Sequence, residues 1–239
     1  MKLSNNKILI TGGATGIGLG LTERFLKEGN KVIICGRRED VLSDVHEKHP
    51  DVITRVCDIG IEAERRSLID WLRESHPDTN VIVNNAGIQN WMNIDQEDFY
   101  KKALNEININ AIAPLHLSLL ALELPALETI MIVTSGLALV PTAKAPVYCA
   151  TKAFLHSFTL SLRYMLKDKF EVIEIVPAAL NTDLGGKGLH DTFPPVSEFI
   201  ETIFKELKEG KTQLSYGFSN EILAASPDKL EEFFKQYNP

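Results

Sequence analysis

Short apolar runs alternate along the chain with longer stretches in which apolar residues recur every three or four positions. The runs at 7–11, 31–35, 52–57, 80–83, 129–134 and 172–176 are rich in Ile and Val and are continuous rather than alternating in polarity. Strands buried on both faces read this way, because neither face meets water. The intervening stretches 17–28, 39–48, 62–74, 98–122 and 146–167 carry the helical period. A strand–helix alternation of this kind predicts an α/β fold: a doubly wound parallel sheet of about seven strands, flanked by helices on both faces. No repeat, low-complexity segment or linker divides the chain, so 1–239 is read as a single domain.

One long irregular stretch, 177–195, centres on Gly185, Gly186 and Gly188. It follows a central strand and should overhang the carboxyl edge of the sheet, where open α/β folds bind ligands, so it is the expected substrate lid. The C-terminal stretch 228–237 reads as one short helix with no evident destination.

Composition narrows the function without defining it. The 239 residues include 44% hydrophobic and 24% charged, and 25 Lys+Arg against 32 Asp+Glu leave a net charge of −7. That balance argues against nucleic acid or an anionic membrane surface as partner, since both need clustered cations. The most apolar stretch, 111–127, is broken by Pro114, His116, Glu123 and Pro125, short of the ~18 clean residues a membrane span needs. With no signal-like N-terminus either, the expected location is cytoplasmic. Cys35, Cys57 and Cys149 are widely separated and read as reduced core thiols. His46 and His49 lack zincin spacing, and no metal site is expected.

The chemistry concentrates at strand ends. The first strand runs into Thr11-Gly12-Gly13-Ala14-Thr15-Gly16-Ile17-Gly18 and then a helix. Glycines there permit a tight turn and let backbone N–H groups approach a pyrophosphate at the positive end of the helix dipole. The second strand ends in Cys35-Gly36-Arg37-Arg38, with no acid to bind ribose hydroxyls. A guanidinium there suits a 2′-phosphate, which predicts NADP, with NADPH preferred over NADH, Arg37 as main contact and Arg38 as helper. In the second half, Tyr148 and Lys152 stand one helical turn apart, on one face. A free phenol titrates near 10, and an adjacent ammonium favours its ionised form, a chemical reason for Tyr-x-x-x-Lys in acid–base catalysis. Ser135 closes the strand ahead of it, Asn84-Asn85-Ala86-Gly87 closes another, and Asn110 lies in the long middle helix.

Taken in order and spacing, Thr11-Gly12-x3-Gly16-x-Gly18, Asn84-Asn85-Ala86-Gly87, Asn110, Ser135 and Tyr148-x3-Lys152 resemble the short-chain dehydrogenase/reductase family over essentially the whole chain. The resemblance implies a Rossmann fold and an NADP-dependent oxidoreductase. Tyr148 would donate the proton to a carbonyl undergoing reduction, Lys152 would tune Tyr148 and hold the nicotinamide ribose, Ser135 would polarise the substrate oxygen, and Asn110 would anchor a relay water. Gly12, Thr15, Gly16, Ile17, Gly18, Asn85, Ala86 and Gly87 would line the cofactor site. Asp58 would contact adenine, and Pro177 and Thr182, in Pro177-Ala178-Ala179-Leu180-Asn181-Thr182, would meet the nicotinamide end. Ala178 departs from the family's usual glycine.

The substrate is less legible. Gln89, Trp91, Leu184, His190 and Phe193 are candidate pocket walls, and their character favours a moderately apolar ketone or aldehyde. Reduction of 3-oxoacyl groups on acyl carrier protein is an alternative, disfavoured because 122–128 carries two acids and no base. A protein that senses NADP and acts on a partner without turnover is another, disfavoured because the tyrosine and lysine are both kept. Family analogy implies a homodimer or homotetramer, with Leu155, Phe158, Leu162 and Met165 as either interface or core.

Overall fold

The structure, a computed structural model that describes residues 1–238, is built on one parallel sheet. Its strands are β1 (Lys7–Thr11), β2 (Lys31–Gly36), β3 (Ile53–Val56), β4 (Val81–Asn84), β5 (Thr129–Val133), β6 (Glu171–Val176) and β7 (Gln213–Ser215). They lie in the order β3-β2-β1-β4-β5-β6-β7, with every neighbouring pair parallel. The winding direction reverses between β1 and β4, which opens a crevice at the carboxyl ends of those strands.

The helices are α1 (Gly16–Lys27), α2 (Glu39–Lys48), α3 (Glu62–Ser75), α4 (Phe99–Ile107), α5 (Ala113–Ala121), α6 (Pro146–Leu166), α7 (Val196–Lys208), α8 (Phe218–Ala224) and α9 (Pro227–Tyr237). Successive strand residues serve opposite layers, as the pleat requires. Ile8 and Ile10 pack with Leu21, Phe25, Leu42 and Phe199 of α1, α2 and α7. Leu9 packs with Leu68, Leu72, Leu117 and Leu155 of α3, α5 and α6. Burial on both faces is why the strands read as continuous apolar runs.

Two expectations change. The helix expected over 98–122 is two α-helices joined by a π turn at Asn108–Ile112. Pro114 supplies the reason: it has no N–H, and its ring collides with the carbonyl four residues back, that of Asn110. The strip Leu155, Phe158, Leu162 and Met165 does not form one surface, since Leu155 and Leu162 are in the core whereas Met165 is exposed. β7, α7 and α8 went unlocated in the sequence, β7 because three residues carry too little pattern. The C-terminal helix has a destination: Phe233 of α9 packs edge-on to Phe218 at 4.7 Å and joins Val140 and Ile222. Asn238 beyond it donates to the Pro141 carbonyl at 3.0 Å and accepts from the Ala143 N–H at 2.6 Å. The chain end thus fastens the loop between Ser135 and Tyr148. Residues 177–195 run without helix or strand apart from a bridge between Asn181 and Pro195.

Candidate active site

Every motif singled out in the sequence ends at the carboxyl edge of the sheet. In the turn after β1, Gly12 (φ 64°) and Gly16 (φ 52°) occupy left-handed backbone conformations. A Cβ on Gly18 would drive into the Gly12 carbonyl, so the helix packs against the turn only with glycine there. The Asn84–Gly87 segment is stapled to this turn. Asn85 and Ala86 N–H groups donate to the Thr11 hydroxyl at 3.0 and 3.1 Å, and the Asn85 carboxamide donates to the Thr11 carbonyl at 2.9 Å.

This cradle fits a dinucleotide. Thr15, which precedes α1, makes no side-chain cap, and the first turn of α1 carries no acid, so its N–H groups and the helix dipole face outward unneutralised. Thr182 stands across from Gly16, where an added Cβ would come within 3.5 Å of its methyl group. Ile17 is half-buried beside them, and Pro177 is buried with its carbonyl accepting from the Gly136 N–H at 3.1 Å. At the far end, Arg37 and Arg38 are both exposed, and among the described residues neither is ion-paired, although Glu39 and Asp40 follow directly. Asp58 is half-buried; one carboxylate oxygen caps the Gly60 N–H at 2.8 Å and the other is free of such a role.

Ser135 lies just beyond β5, where its hydroxyl accepts from the Leu137 N–H at 3.1 Å. Tyr148 and Lys152 project from the first turns of α6, which opens at Pro146, a residue suited to a first helical turn. Both are buried, and the Lys152 Nζ stands 5.6 Å from the Tyr148 ring centre while donating to the Val133 carbonyl at 2.8 Å. Burial pushes Lys152 down to about 8. Burial also pushes the Tyr148 phenol well above its ordinary value, with Ser135 opposing the shift. The Tyr-x-x-x-Lys spacing alone predicted the opposite direction. Desolvation wins because the ammonium points at Val133 rather than at the phenol. Asn110, in the π turn, grips the Ile88 backbone at both ends, accepting its N–H at 2.8 Å and donating to its carbonyl at 2.7 Å.

Of the candidate pocket walls, Leu184, Gln89 and Trp91 lie close to this group or to its neighbouring loop, and His190 and Phe193 pair with each other further along. Leu184 and Leu137 pack against Tyr148, Ala145 and Cys149. Gly185 faces the edge of Trp91, so that a Cβ there would lie 2.9 Å from its indole nitrogen and 3.6 Å from Gln89. His190 and Phe193 stack edge-on at 5.6 Å further along the same stretch. Two open grooves, of about 620 and 770 Å³, lie at the opposite edge of the sheet around Lys7, Lys31, Asp78 and His49. They hold none of the residues of the sequence motifs, which gather at the carboxyl edge.

Sequence reasoning missed two buried acids close to the site, Glu174 and Glu106. Glu174 sits in the middle of β6, fully buried, and accepts from Thr134 at 2.8 Å, from His156 at 2.8 Å and from Gln213 at 2.9 Å. It ties β5, β7 and α6 together behind Ser135 and Lys152. His156 is pushed up by this carboxylate, and Glu174 is held low by His156, Gln213 and Thr134 against the cost of its burial. Cys35 and Cys57 are free and buried, as read from the sequence, and the Cys57 thiol donates to the Glu64 carbonyl at 3.7 Å. Glu106, fully buried on α4, is pushed up by burial. Its only sequence signal is that it precedes Asn110 by one turn.

The whole arrangement matches known proteins. Residues 6–191 fit the family model described as short chain dehydrogenase, and the chain belongs to the short-chain dehydrogenase/reductase family, a family of oxidoreductases. It is 41% identical over 251 aligned positions to the "Uncharacterized oxidoreductase DltE" of Bacillus subtilis (strain 168), covering 100% of this chain and 98% of that one. Sulfoacetaldehyde reductase 2 of Chromohalobacter salexigens is 30% identical over 186 residues, 74% of this chain and 73% of that one. Among solved structures, a short chain dehydrogenase from Burkholderia cenocepacia J2315 in complex with NADP superposes with a TM-score of 0.83 at 23% identity, covering 98% and 99%. A family member from Burkholderia phymatum in complex with NAD gives 0.83 at 16% identity, covering 100% and 98%. These two share the fold while binding different coenzymes. No helix among the described residues is long and apolar enough to cross a membrane.

Proposed function

We propose that this oxidoreductase reduces a moderately apolar ketone or aldehyde with NADPH, using Tyr148 as proton donor. The observation that carries the reading is the buried Tyr148 phenol beside the Ser135 hydroxyl, walled by Leu137 and Leu184. A phenol pushed upward by burial keeps its proton at neutral pH, as a donor to a developing alkoxide must. Ser135 holds the substrate oxygen, and Lys152, with a pKa brought near neutrality, restores the proton through the water that Asn110 anchors. Bound NADPH would supply the hydride.

Gly12, Thr15, Gly16, Ile17 and Gly18 hold the pyrophosphate; Arg37, helped by Arg38, takes the 2′-phosphate. Asp58 meets adenine, Asn85, Ala86 and Gly87 back the adjacent ribose, and Pro177 and Thr182 meet the nicotinamide. Residues 177–195 act as lid over a single domain, in the cytoplasm. Exposed apolar residues on the middle helices, Leu104, Ile107 and Ile112, and on α6, Tyr164 and Met165, are the candidate surfaces for a homodimer or homotetramer.

Calorimetric titration tests the coenzyme: NADPH should bind at least about tenfold more tightly than NADH, ~1.4 kcal/mol, and equal or stronger NADH binding overturns the assignment of Arg37. Tyr148→Phe should lower turnover by about 10²–10⁴-fold while NADPH still binds. Retained turnover would remove Tyr148 as donor.

A further inference from the structure

Glu106 is a buried carboxyl beside the site that the proposed chemistry leaves unused and that, unlike Glu174, keeps an oxygen without a partner. It is 0% exposed; one oxygen accepts the Asn90 N–H at 3.1 Å, and the other has no partner. Among the described residues no cation pairs with it. An acid buried without a cation is costly to keep, so its place in the fold needs a reason.

Its register supplies one. Glu106 and Asn110 stand four residues apart, Glu106 at the end of α4 and Asn110 in the π turn that continues it. Four helical residues rise about 6 Å. They grip residues 88 and 90 of the segment after β4, and two extended residues span about 6.6 Å. Helix and segment are therefore commensurate, and the two side chains act as successive rungs of one clamp. The Met92 N–H closes a third rung on the Lys144 carbonyl at 3.0 Å. With 88, 90 and 92 fixed by their backbone, the alternate side chains Gln89 and Trp91 both meet the lid at Gly185.

We infer that Glu106 is a positioning residue for substrate selectivity: it fixes Asn90, and so sets the height at which Gln89 and Trp91 meet the lid. It does not touch the reacting atoms. Ser135, Tyr148 and Lys152 are carried separately by the end of β5 and by α6. Loosening the Asn90 rung therefore moves the substrate wall and leaves the proton donor and the coenzyme cradle in place.

The inference rests on the carbonyl-reductase reading, and the test separates the two. For Glu106→Leu, the KM of a carbonyl substrate should rise about tenfold or more, with kcat and NADPH affinity within about twofold of wild type. Hydrogen exchange should quicken in 88–92 and in the lid. Glu106→Gln keeps an oxygen for the Asn90 N–H and should restore KM and exchange rates. An unchanged KM in the Leu variant, a fall in kcat alone, or a Gln variant as impaired as Leu would each overturn the inference. Should Glu106→Leu fail to fold, Asn90→Pro deletes the same hydrogen bond from the other side and must raise KM likewise. A wild-type protein that reduces no carbonyl refutes the reductase reading, and exchange at 88–92 in Glu106→Gln and Asn90→Pro then decides the clamp alone.

Discussion

Lys152 offers a direct measure of how strongly the site is desolvated. Its side chain is 4% exposed, its Nζ hydrogen-bonds the Val133 carbonyl, and among the described residues no carboxylate pairs with it. Burial lowers it from an ordinary 10.5 to about 8. At ~1.4 kcal/mol per unit, the buried ammonium destabilises the coenzyme-free fold by about 3 kcal/mol at pH 7. The direction with pH is fixed. Below about 8 both folded and unfolded chains hold the proton and the full penalty applies. Between about 8 and 10.5 the folded chain releases the proton first, so stability rises with pH through that window.

Lys152→Met keeps the length of the side chain and removes the charge. The lost hydrogen bond to Val133 opposes the gain by about 1–3 kcal/mol, but that loss does not depend on pH. The variant should therefore match or exceed wild-type stability at pH 7, by up to about 2 kcal/mol. Its advantage over wild type should shrink by about 2 kcal/mol between pH 7 and pH 9.5. Urea unfolding of both proteins at pH 7, 8 and 9.5, at one protein concentration and without coenzyme, measures the gap. A gap that stays constant with pH would refute the claim that Lys152 is held charged against desolvation.

Gly18→Ala places a Cβ against the Gly12 carbonyl; NADPH affinity should fall at least about tenfold while melting shows a folded protein, and unchanged affinity would detach the turn from the coenzyme. Glu174→Gln removes the charge that raises His156, so the imidazole should titrate lower by NMR, and an unmoved titration would dissolve the pair. His156's contribution to stability is full below its unfolded 6.5 and lost as pH rises through its raised folded value; Glu174's is full above its unfolded 4.5 and lost as pH falls through its lowered one. The gap between wild type and Glu174→Gln in melting experiments should accordingly be widest between those limits.

The sheet and the main-chain half of the site were legible because the signals there are local. A buried parallel strand shows as a continuous apolar run, a tight strand-to-helix turn as glycines before a helix, and the proposed catalytic pair as Tyr148 and Lys152 on one helical face. What stayed hidden depends on partners distant in sequence. Glu174 looks like an error inside Val172-Ile173-Glu174-Ile175-Val176 until Thr134, His156 and Gln213 are folded around it. The direction of the Tyr148 shift was misread because residue types do not tell burial depth or where an ammonium points. Pro114 was visible throughout, and its effect four residues back, on the Asn110 carbonyl, is a local rule that would have placed the break in the middle helix.

The two halves of the crevice are held in place differently, and this bears on how the protein can change its substrate. Ser135, Tyr148 and Lys152 hang from β5 and from α6, which is bound into the core by Leu155 and Leu162. Moving any of them strains the sheet. The facing wall hangs from side-chain clamps at 88 and 90 and from a lid whose Gly185, Gly186 and Gly188 all adopt positive φ. Substitutions there disturb few buried contacts, and each shifts Gln89, Trp91 or Leu184 relative to a fixed phenol. Chemistry is thereby tied to the fold and selectivity to single hydrogen bonds, so changes of substrate should map to 88–92 and 182–193 and leave the pH dependence set by Tyr148 and Lys152 intact.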